Sequence, residues 1–335
     1  MSTWFDQLTE RARTQPKRVI FPEACEERIL QAARRVLDMG IAFPMLVGDP
    51  AQIQAAAATA GVSLEGMQLV DMGDEALLAG YIRRFLAVCE DFSENALKRR
   101  TKIALNLAAL MVRIGEADCL AAGVQHSTGD VILASQMMIG LAEGISTVSS
   151  LGILEVPGFD GPEGNLLTIT DCAVCPFPTS DELADIAISS ADTMSRLLGW
   201  EPRVAMLTFS TKGSAQHERV DHVIRAVSIA KDRRPDLKID GEFQLDAAIL
   251  PKIAARKVPG ESAVAGKANI LVFPSLEAGN IGVKLVQIFG KAVAHGPLLQ
   301  GFAKPVTDFS RSAPVEEMVG ALTMLVARAQ EGAAS

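Results

Sequence analysis

The chain contains 335 residues, of which 49% are apolar and 21% are charged, and its formal net charge is −8. This balance is typical of a globular protein rather than a disordered one, and the length favours two domains. The negative charge argues against a nucleic-acid surface, and no apolar run approaches the roughly 20 residues that span a bilayer.

The first residues also lack the basic start, apolar run and small-residue cleavage site of a signal peptide. We therefore expect a soluble, cytoplasmic protein that has neither nucleic acid nor membrane as a partner.

In the first half of the chain, apolar runs alternate with segments of helical period. Strands are predicted at 18–21, 43–47, 67–70 and 119–122. Helices are predicted at 26–39, 51–60, 75–89 and 95–114, and a further helix opens near Thr128. Gly40 ends the first of these helices, as glycine commonly does after a last turn.

The second half repeats this alternation. Strands are predicted at 203–207, 237–239, 269–273 and 297–299. Helices are predicted at 180–198, 219–231, 247–256, 281–289 and 314–329, the first of them capped by Thr179 or Ser180.

Alternating strands and helices predict mostly parallel sheets with helices on both faces, which is an α/β fold. Such sheets bind ligands at the carboxyl ends of their strands. We expect a domain boundary near 144–150. The stretch 157–165 is rich in glycine and proline, which predicts an excursion of the chain or a hairpin.

The cysteines do not indicate a disulfide framework, because there are five of them and they are scattered. They are Cys25, Cys89, Cys119, Cys172 and Cys175. Cys172 and Cys175 form one C-x-x-C pair, but no second pair or nearby histidine completes a zinc site, so we predict no metal.

The C-terminal region offers a candidate anion site at Ser310 and Arg311, just before a helix that opens with Pro314. An anion is favoured here by the serine hydroxyl, by the guanidinium, which can bind two oxygens, and by the helix N-terminus. A serine in this position is also an ordinary helix cap. Glu316 and Glu317 lie in the first helical turn. There they either compensate the helix dipole or place a general base near the anion.

Two loops that follow strands are further candidates for phosphate contacts, because they combine hydroxyl groups with glycine. The first is VQHSTGD at 124–130, which contains Ser127 and Thr128. The second is TFSTKGS at 208–214, whose candidates are Ser210, Thr211, Lys212 and Gly213. Helix caps have the same composition, and the second loop lacks the spacing of a nucleotide P-loop.

The segment 240–246, DGEFQLD, places Asp240, Glu242 and Asp246 together, where they either bind a metal or cap the following helix; capping is favoured without histidine partners. The segment GNIG at 279–282, which contains Asn280 and Gly282, allows close approach of a ligand to the backbone. The histidines share no spacing, and no G-x-S-x-G motif indicates a serine nucleophile.

Taken in order, these segments resemble the phosphate acetyl/butyryltransferase family. The resemblance is carried by RVIFPEACEERILQAA, PMLVGDP, MVRIGEAD, HSTGD, DCAVCPFPT, EPRVAMLTFSTKGS, IDGEFQLDAA, GKANILVFPSLEAGNIG and GPLLQGFAKPVTDFSR, which span nearly the whole chain. Within the family, EPRVAMLTFSTKGSAQH and VFPSLEAGNIG most resemble the short ethanolamine-utilisation type.

The resemblance implies two doubly wound α/β domains that flank an interdomain cleft, an architecture like that of isocitrate and isopropylmalate dehydrogenases. The first domain would comprise 1–146 plus 298–335, and the second 147–297. It also implies a homodimer with no metal and no permanently bound cofactor, with coenzyme A as a substrate.

The implied reaction interconverts acetyl-coenzyme A (or propionyl-coenzyme A) plus phosphate with acyl phosphate plus coenzyme A. An acidic residue deprotonates the thiol, and the thiolate attacks the acyl phosphate directly. Ser310 and Arg311 match the residues that hold the phosphate, and Glu317 matches the base. The predicted substrate contacts are Lys98, Ser127, Thr128, Ser210, Thr211, Lys212, Gly213, Asn280, Gly282 and Gly301.

The chain departs from the family pattern at several of these positions. Glu317 replaces an aspartate, Leu133 and Ala134 replace an Arg-Pro pair, and 98–102 keeps positive charge without the usual R-K-H-K-G. The arginine that would bind a substrate phosphate is missing at Leu133. Its loss favours an alternative, which is a non-catalytic or impaired relative that binds coenzyme A. A dehydrogenase on a related scaffold is a second alternative, which the lack of a G-x-G-x-x-G motif disfavours. The acyl preference and a location in a bacterial microcompartment stay open.

Overall fold

A computed structural model describes residues 3–330 of the chain. It divides the chain into two units: the first ends at Ala142 and resumes at Phe302, and the second runs from Glu143 to Gly301. Each unit combines one β-sheet with helices, so the predicted α/β class with two domains is the class that the structure has.

The first unit contains eight helices and five strands within the described residues. Its helices are α1 (Thr3–Thr14), α2 (Glu27–Asp38), α3 (Pro50–Ala60), α4 (Glu75–Leu86), α5 (Glu94–Arg100), α6 (Ala104–Arg113), α7 (Thr128–Met138) and α13 (Val315–Ala329). Its strands are β1 (Lys17–Phe21), β2 (Ala42–Gly48), β3 (Gln68–Asp71), β4 (Cys119–Ala122) and β11 (Val306–Asp308).

The sheet of the first unit is parallel throughout, with the strand order β11-β4-β1-β2-β3. Strands β1 and β4 are almost entirely buried, as parallel strands covered by helices on both faces should be. Helices α2 and α13 pack against them, and Phe21, Leu30 and Leu322 belong to the aliphatic core.

The second unit contains five helices and six strands within the described residues. Its helices are α8 (Ser180–Leu198), α9 (Glu218–Arg233), α10 (Leu245–Ile249), α11 (Pro251–Lys257) and α12 (Leu276–Gly290). Its strands are β5 (Ser149–Glu155), β6 (Leu166–Thr170), β7 (Arg203–Leu207), β8 (Lys238–Phe243), β9 (Ile270–Val272) and β10 (Val293–Gln300).

The sheet of the second unit is mixed, with the strand order β10-β5-β6-β9-β7-β8. The four strands β6, β9, β7 and β8 are parallel, whereas β5 pairs antiparallel with both β6 and β10. The segment 157–165 thus connects two antiparallel neighbours, which is the predicted hairpin. The carboxyl ends of β7 and β9 lie side by side in this sheet.

Two predicted helices are each broken into two. The prediction of one helix over 95–114 is wrong, because α5 ends at Arg100 and the Asn106 side chain bonds the Arg100 carbonyl (3.1 Å). The prediction of one helix over 247–256 is also wrong, because Leu250 is extended before Pro251 (φ −106°, ψ 109°). A residue before proline disfavours helical geometry.

Two further predictions about position need correction. Asn280 and Gly282 lie inside α12, which begins at Leu276, so GNIG does not open that helix. Strand β8 continues to Phe243, so Asp240 and Glu242 lie within the strand rather than beyond its end. Among residues 3–330, no helix is both long and apolar enough to cross a bilayer.

Candidate active site

Three neighbouring strands of the first unit end at the same edge of its sheet and bring three polar segments together. Glu23 follows β1, the loop 123–127 follows β4, and the segment 308–311 begins with Asp308, the last residue of β11. The backbone N–H of Phe309 donates to the carbonyl of Ala122 (2.7 Å), so the last two segments continue side by side. The carboxyl edge of a parallel sheet is the place where ligands bind in this fold class.

The buried Glu23 carboxylate accepts hydrogen bonds from most of the loop after β4. Four consecutive backbone N–H groups donate to it, those of Gly123 (3.2 Å), Val124 (2.9 Å), Gln125 (2.8 Å) and His126 (2.8 Å). The His126 ring nitrogen Nδ1 is also 2.8 Å from Glu23 Oε1. The loop that sequence composition predicts to bind phosphate thus directs these N–H groups at a carboxylate of the protein.

Asp308 is the second acidic residue of this cluster. Its Oδ2 accepts a hydrogen bond from the Thr128 hydroxyl (2.6 Å), whereas its Oδ1 is buried and has no hydrogen-bond partner in the described part of the chain. Burial raises the pKa of the Asp308 carboxyl to about 6; the Thr128 hydrogen bond and the Arg311 charge oppose the rise, and Glu23 adds to it. Only glycine fits at 123, because a Cβ there would lie 2.1 Å from Asp308 Oδ1.

Ser310 and Arg311 lie on an exposed turn that α2 holds in place. Arg28 donates to the carbonyls of Arg311 (2.9 Å) and Ala313 (3.1 Å), and the Ser310 hydroxyl is 3.1 Å from that of Ser312. Within residues 3–330, the Arg311 guanidinium makes no hydrogen bond or ion pair. A guanidinium that is exposed and unpaired is free to bind an external anion through two oxygens.

Helix α7 begins beside this turn, and its first residues are both predicted site residues. Ser127 is its N-cap and forms a capping box with Asp130, and the Thr128 hydroxyl is donated to Asp308. The Ser127 hydrogen bonds hold the pKa of Asp130 below its ordinary value, and the Arg311 charge contributes in the same direction. Arg311 therefore acts electrostatically on both Asp308 and Asp130.

The remaining predicted residues of the first unit are exposed. Glu317 lies in the first turn of α13 with no hydrogen bond or ion pair to the described residues, while its neighbour Glu316 pairs with Arg35 (2.8 Å). Lys98 pairs with Glu94 within α5 (2.6 Å). Leu133, where the family pattern has arginine, exposes 55% of its surface.

The predicted contacts in the loop after β7 are bonded to β8 within the second unit. The buried Ser210 hydroxyl donates to Glu242 (2.9 Å), and the Gly213 N–H donates to the same carboxylate (2.8 Å). Lys212 donates to Asp240 (2.8 Å), and the Thr211 hydroxyl accepts from the backbone N–H of Gln244 (2.9 Å).

The other predicted contacts in this unit also have intramolecular partners. The Asn280 amide donates to the carbonyl of Cys172 (3.1 Å) and accepts from Lys284 (2.5 Å). Gly282 lies close to the Phe273 ring, and Gly301 has a positive φ of 95° where a Cβ would come within 2.4 Å of the Thr147 carbonyl oxygen. These two glycines thus permit close packing.

No group of three or more histidine, cysteine or acidic side chains within 3–330 has the arrangement of a metal site. Asp240 pairs instead with Lys212 and Lys231, and Asp246 pairs with Lys257 (2.8 Å).

Sequence reasoning missed Glu23 and Asp308, which organise the site of the first unit. Both carried a signal, because Glu23 lies two residues after a buried apolar strand and Asp308 is the last residue of another strand. In this fold class, that position points to the ligand edge of the sheet.

Comparison with known proteins places the chain in a family. The family described as Phosphate acetyl/butaryl transferase matches residues 3–326. A phosphate acetyltransferase of Clostridium acetobutylicum is 43% identical over 98% of both chains.

Solved structures agree with this relationship. The EutD phosphotransacetylase of Staphylococcus aureus aligns over 97% of this chain and 99% of its own, with a TM-score of 0.87 at 33% identity. A phosphotransacetylase of Streptococcus pyogenes aligns over 99% of this chain and 100% of its own, with a TM-score of 0.90 at 33% identity. A putative 4-hydroxythreonine-4-phosphate dehydrogenase of Salmonella typhimurium shares the fold alone, with a TM-score of 0.55 at 13% identity and 94% and 99% of the two chains covered.

A two-unit α/β chain that matches an acyltransferase family over residues 3–326, and that is 37–43% identical to phosphate acetyltransferases over nearly its whole length, is an acyltransferase. The chain is a member of the phosphate acetyl/butaryl transferase family. The prediction of an acyltransferase of the phosphate acetyltransferase type is therefore confirmed. Nothing in the comparisons specifically supports the impaired relative.

Proposed function

We propose that this protein transfers an acetyl group between coenzyme A and inorganic phosphate, with the phosphoryl group held by Ser310 and Arg311. The observation that carries the proposal is the exposed turn 310–311, where an unpaired guanidinium stands beside a hydroxyl at the carboxyl edge of the first sheet. A member of this family needs a group that binds a phosphoryl oxygen, and Arg311 is available for that role.

In the proposed reaction, a carboxylate takes the proton from the coenzyme A thiol, and the thiolate attacks the carbonyl carbon of acetyl phosphate. A carbon–sulfur bond forms, the carbon–oxygen bond to the phosphoryl group breaks, and phosphate leaves with the bonding electron pair. Arg311 and Ser310 would stabilise the negative charge that develops on the phosphoryl oxygens. Glu317 stays the proposed base, supported by its exposed carboxylate, which makes no hydrogen bond or ion pair to the described residues.

The substrate contacts that the sequence predicts have unequal support. Thr128 adjoins Asp308, and thus the turn 308–311, through its hydroxyl. The hydroxyls of Ser127 and Ser210, and the ammonium group of Lys212, are already bonded within the protein, so a substrate would have to compete for them.

Replacing Arg311 tests the proposal directly. We expect Arg311→Gln to lower kcat/KM for acetyl phosphate by roughly 100-fold or more, the usual effect of removing a donor that stabilises developing charge. The assay monitors the acetylation of coenzyme A through the absorbance of the thioester that forms. Arg35→Gln is the matched control, because Arg35 is an exposed arginine that pairs only with Glu316 among described side chains.

The melting temperature of Arg311→Gln should stay close to that of the wild type, because the exposed guanidinium makes no hydrogen bond or ion pair within residues 3–330. A variant with near-normal kcat/KM would remove Arg311 from the mechanism. Wild-type protein that never forms acetyl-coenzyme A from acetyl phosphate would end the proposal itself.

We further propose that the protein is a homodimer whose contact includes helix α12. Only Gly279 of this 15-residue helix is buried within the chain. Its exposed apolar residues follow helical spacing at Ile281, Leu285, Ile288 and Phe289, and Val293 extends the surface onto edge strand β10. A contiguous apolar surface on one helix face marks an association site. The cytoplasmic location and the lack of a permanent cofactor stay predictions, and the acyl preference stays open.

A further inference from the structure

The loop 123–127 carries one titratable side chain that the proposed reaction does not yet use, the imidazole of His126. Its Nδ1 is 2.8 Å from Glu23 Oε1, and since a carboxylate has no proton to give, Nδ1 is the donor of this bond. The other ring nitrogen, Nε2, has no hydrogen-bond partner within residues 3–330. The His126 side chain exposes 27% of its surface, whereas that of Glu23 is fully buried. One ring nitrogen is therefore anchored, and the other is available to a substrate.

The imidazole is not what orders this loop. Four consecutive backbone N–H groups, those of residues 123–126, already donate to Glu23. The backbone N–H of His126 is itself one of them, so the loop stays bonded to the carboxylate whether or not a ring is present. What the ring contact adds is orientation, because a carboxylate that accepts from one ring nitrogen fixes the tautomer and direction of an imidazole. This arrangement is typical of a histidine that transfers a proton at its other nitrogen.

His126 lies at the same edge of the first sheet as the turn 310–311. The loop after β4 and the segment after β11 are joined by a backbone hydrogen bond. The Asp130 carboxylate senses both groups: the Ser127 hydrogen bonds hold its pKa below the ordinary value, and the charges of His126 and Arg311 lower that pKa further. The imidazole and the guanidinium are thus within electrostatic reach of the same carboxylate.

The proposed reaction needs an acid, because its leaving group is poor without a proton. Attack of the thiolate on acetyl phosphate gives a tetrahedral adduct that can expel either the thiolate or a fully deprotonated phosphate. The phosphate trianion is the stronger base, so the adduct returns to the starting materials unless the bridging oxygen is protonated. Arg311 binds phosphoryl oxygens without supplying that proton, because a guanidinium is not deprotonated in proteins.

We propose that His126 is the general acid of the acetyl transfer and gives its Nε2 proton to the bridging oxygen of acetyl phosphate. The inference rests on the proposed function. As the carbon–oxygen bond breaks, its electron pair stays on the oxygen, the oxygen takes the proton from Nε2, and hydrogenphosphate leaves. The ring becomes neutral, and Glu23 balances its charge before the transfer. The proton that Glu317 takes from the thiol returns to His126 through solvent, which regenerates the enzyme.

The variant His126→Asn tests this role, because the asparagine amide keeps a donor in the place of Nδ1 but has no proton to transfer. We expect kcat with acetyl phosphate to fall by roughly 100- to 10,000-fold, the usual contribution of a general acid, while KM for acetyl phosphate stays close to that of wild type. The matched control is His295→Gln, which interrupts a second histidine–glutamate pair, that of His295 with Glu155 (3.1 Å). Its kcat should equal that of wild type.

Methyl acetyl phosphate separates an acid from a histidine that only supports the loop. A phosphate monoester has a second pKa of about 6, below the value of about 8.5 for a thiol, so methyl phosphate is expelled in preference to the thiolate without a proton. We therefore expect His126→Asn to transfer the acetyl group of this ester at a rate close to that of wild type, although it fails with acetyl phosphate. The melting temperatures of both variants are measured alongside.

The outcomes distinguish this inference from the proposed function. Acetyl transfer by wild type, with equal losses for both substrates in His126→Asn, would make the histidine structural and overturn its assignment as the acid. A kcat near that of wild type with acetyl phosphate would overturn the assignment as well, and in both cases the proposed function stands. Wild-type protein that forms no acetyl-coenzyme A from either substrate would instead overturn the proposed function, and this inference with it.

Discussion

At the scale of single residues, the candidate site of the first unit depends on acidic side chains held inside the protein. Glu23 is bonded by four backbone N–H groups, and one oxygen of Asp308 has no hydrogen-bond partner among residues 3–330. A buried carboxyl oxygen that accepts no hydrogen bond makes ionisation of the carboxyl costly. This cost has a measurable consequence for stability.

The Asp308 carboxyl should make the protein less stable as the pH rises. Its pKa in the folded protein is about 6, above the ordinary value of 3.8, so the folded state keeps a proton that the unfolded chain has released. The resulting stabilisation is complete below pH of about 4 and is lost as the pH rises through about 6. We expect Asp308→Asn, which cannot ionise, to gain about 1–2 kcal/mol relative to wild type between pH 4 and pH 7. This gain is smaller than the roughly 3 kcal/mol that a change in pKa from 3.8 to about 6 would give for a fully buried group, because solvent screens the partly exposed Asp308 carboxyl.

Urea denaturation of both proteins at pH 4, 5.5 and 7 measures this difference. Asp160→Asn is the control, because Asp160 is exposed in the 157–165 segment and has no hydrogen bond or ion pair to the described residues. A stability difference between Asp308→Asn and wild type that does not change with pH would show that Asp308 titrates normally.

At this scale the sequence identifies the exposed residues of the site better than the buried ones. Ser310 and Arg311 are recognisable because the chemistry of their side chains directly suggests anion binding. Glu23 is harder to recognise, because its position after a strand points to the ligand edge of the sheet but does not reveal that the loop 123–126 donates to it. Nothing in the local sequence specifies that contact, which joins residues about 100 positions apart.

At the scale of elements, helix ends are the features that the sequence predicts best. The predicted bounds of α8, 180–198, are those observed, because Thr179 forms a capping box with Glu182 and Gly199 adopts the left-handed conformation after the last turn. The break between α5 and α6 has no glycine or proline to announce it. It depends on the Asn106 side chain, a contact that becomes visible only in three dimensions.

Capping also gives a specific expectation for Ser127, which caps α7 and is at the same time a predicted substrate contact. Its hydroxyl accepts from the Asp130 backbone N–H (3.1 Å) and donates to the Asp130 carboxylate (2.6 Å). We expect Ser127→Ala to destabilise the protein by about 1 kcal/mol and Ser127→Asn to restore most of that loss, because asparagine caps as well as serine. Denaturant unfolding of the three proteins provides the comparison.

Ser93→Ala is a useful reference, because Ser93 caps α5 through a single hydrogen bond to the Ala96 N–H (3.2 Å). If Ser127→Ala is as stable as wild type, the capping box contributes nothing and the hydroxyl is free for a substrate. A rise in KM for phosphate in both Ser127 variants would instead support the substrate contact that the sequence predicts.

At the scale of the whole molecule, both units contain a buried carboxylate that accepts hydrogen bonds from the backbone of a loop. Asp171, which follows β6, is buried and accepts hydrogen bonds from the N–H groups of Ala173 (3.0 Å), Val174 (3.2 Å) and Cys175 (2.5 Å), as Glu23 does after β1. In each unit an internal carboxylate thus orders the loop at the carboxyl edge of the sheet. Cys172 and Cys175, the C-x-x-C pair, lie in that loop and form no disulfide.

The surface of α12 leads to the last expectation, which concerns assembly. Ile288 and Phe289 expose 69% and 79% of their surfaces, the largest exposed fractions among the exposed large apolar residues of the described chain. If a second copy covers this face, charges placed there would be buried without partners in the dimer but solvated in the monomer. We expect Ile288→Asp combined with Phe289→Asp to convert a dimer into a folded monomer, as measured by sedimentation equilibrium over a range of protein concentrations. Ile224→Asp, on the exposed face of α9, should leave the mass unchanged. A wild type that sediments as a single chain at every concentration would overturn the proposed dimer. A double variant that stays dimeric would show that the dimer contact lies elsewhere.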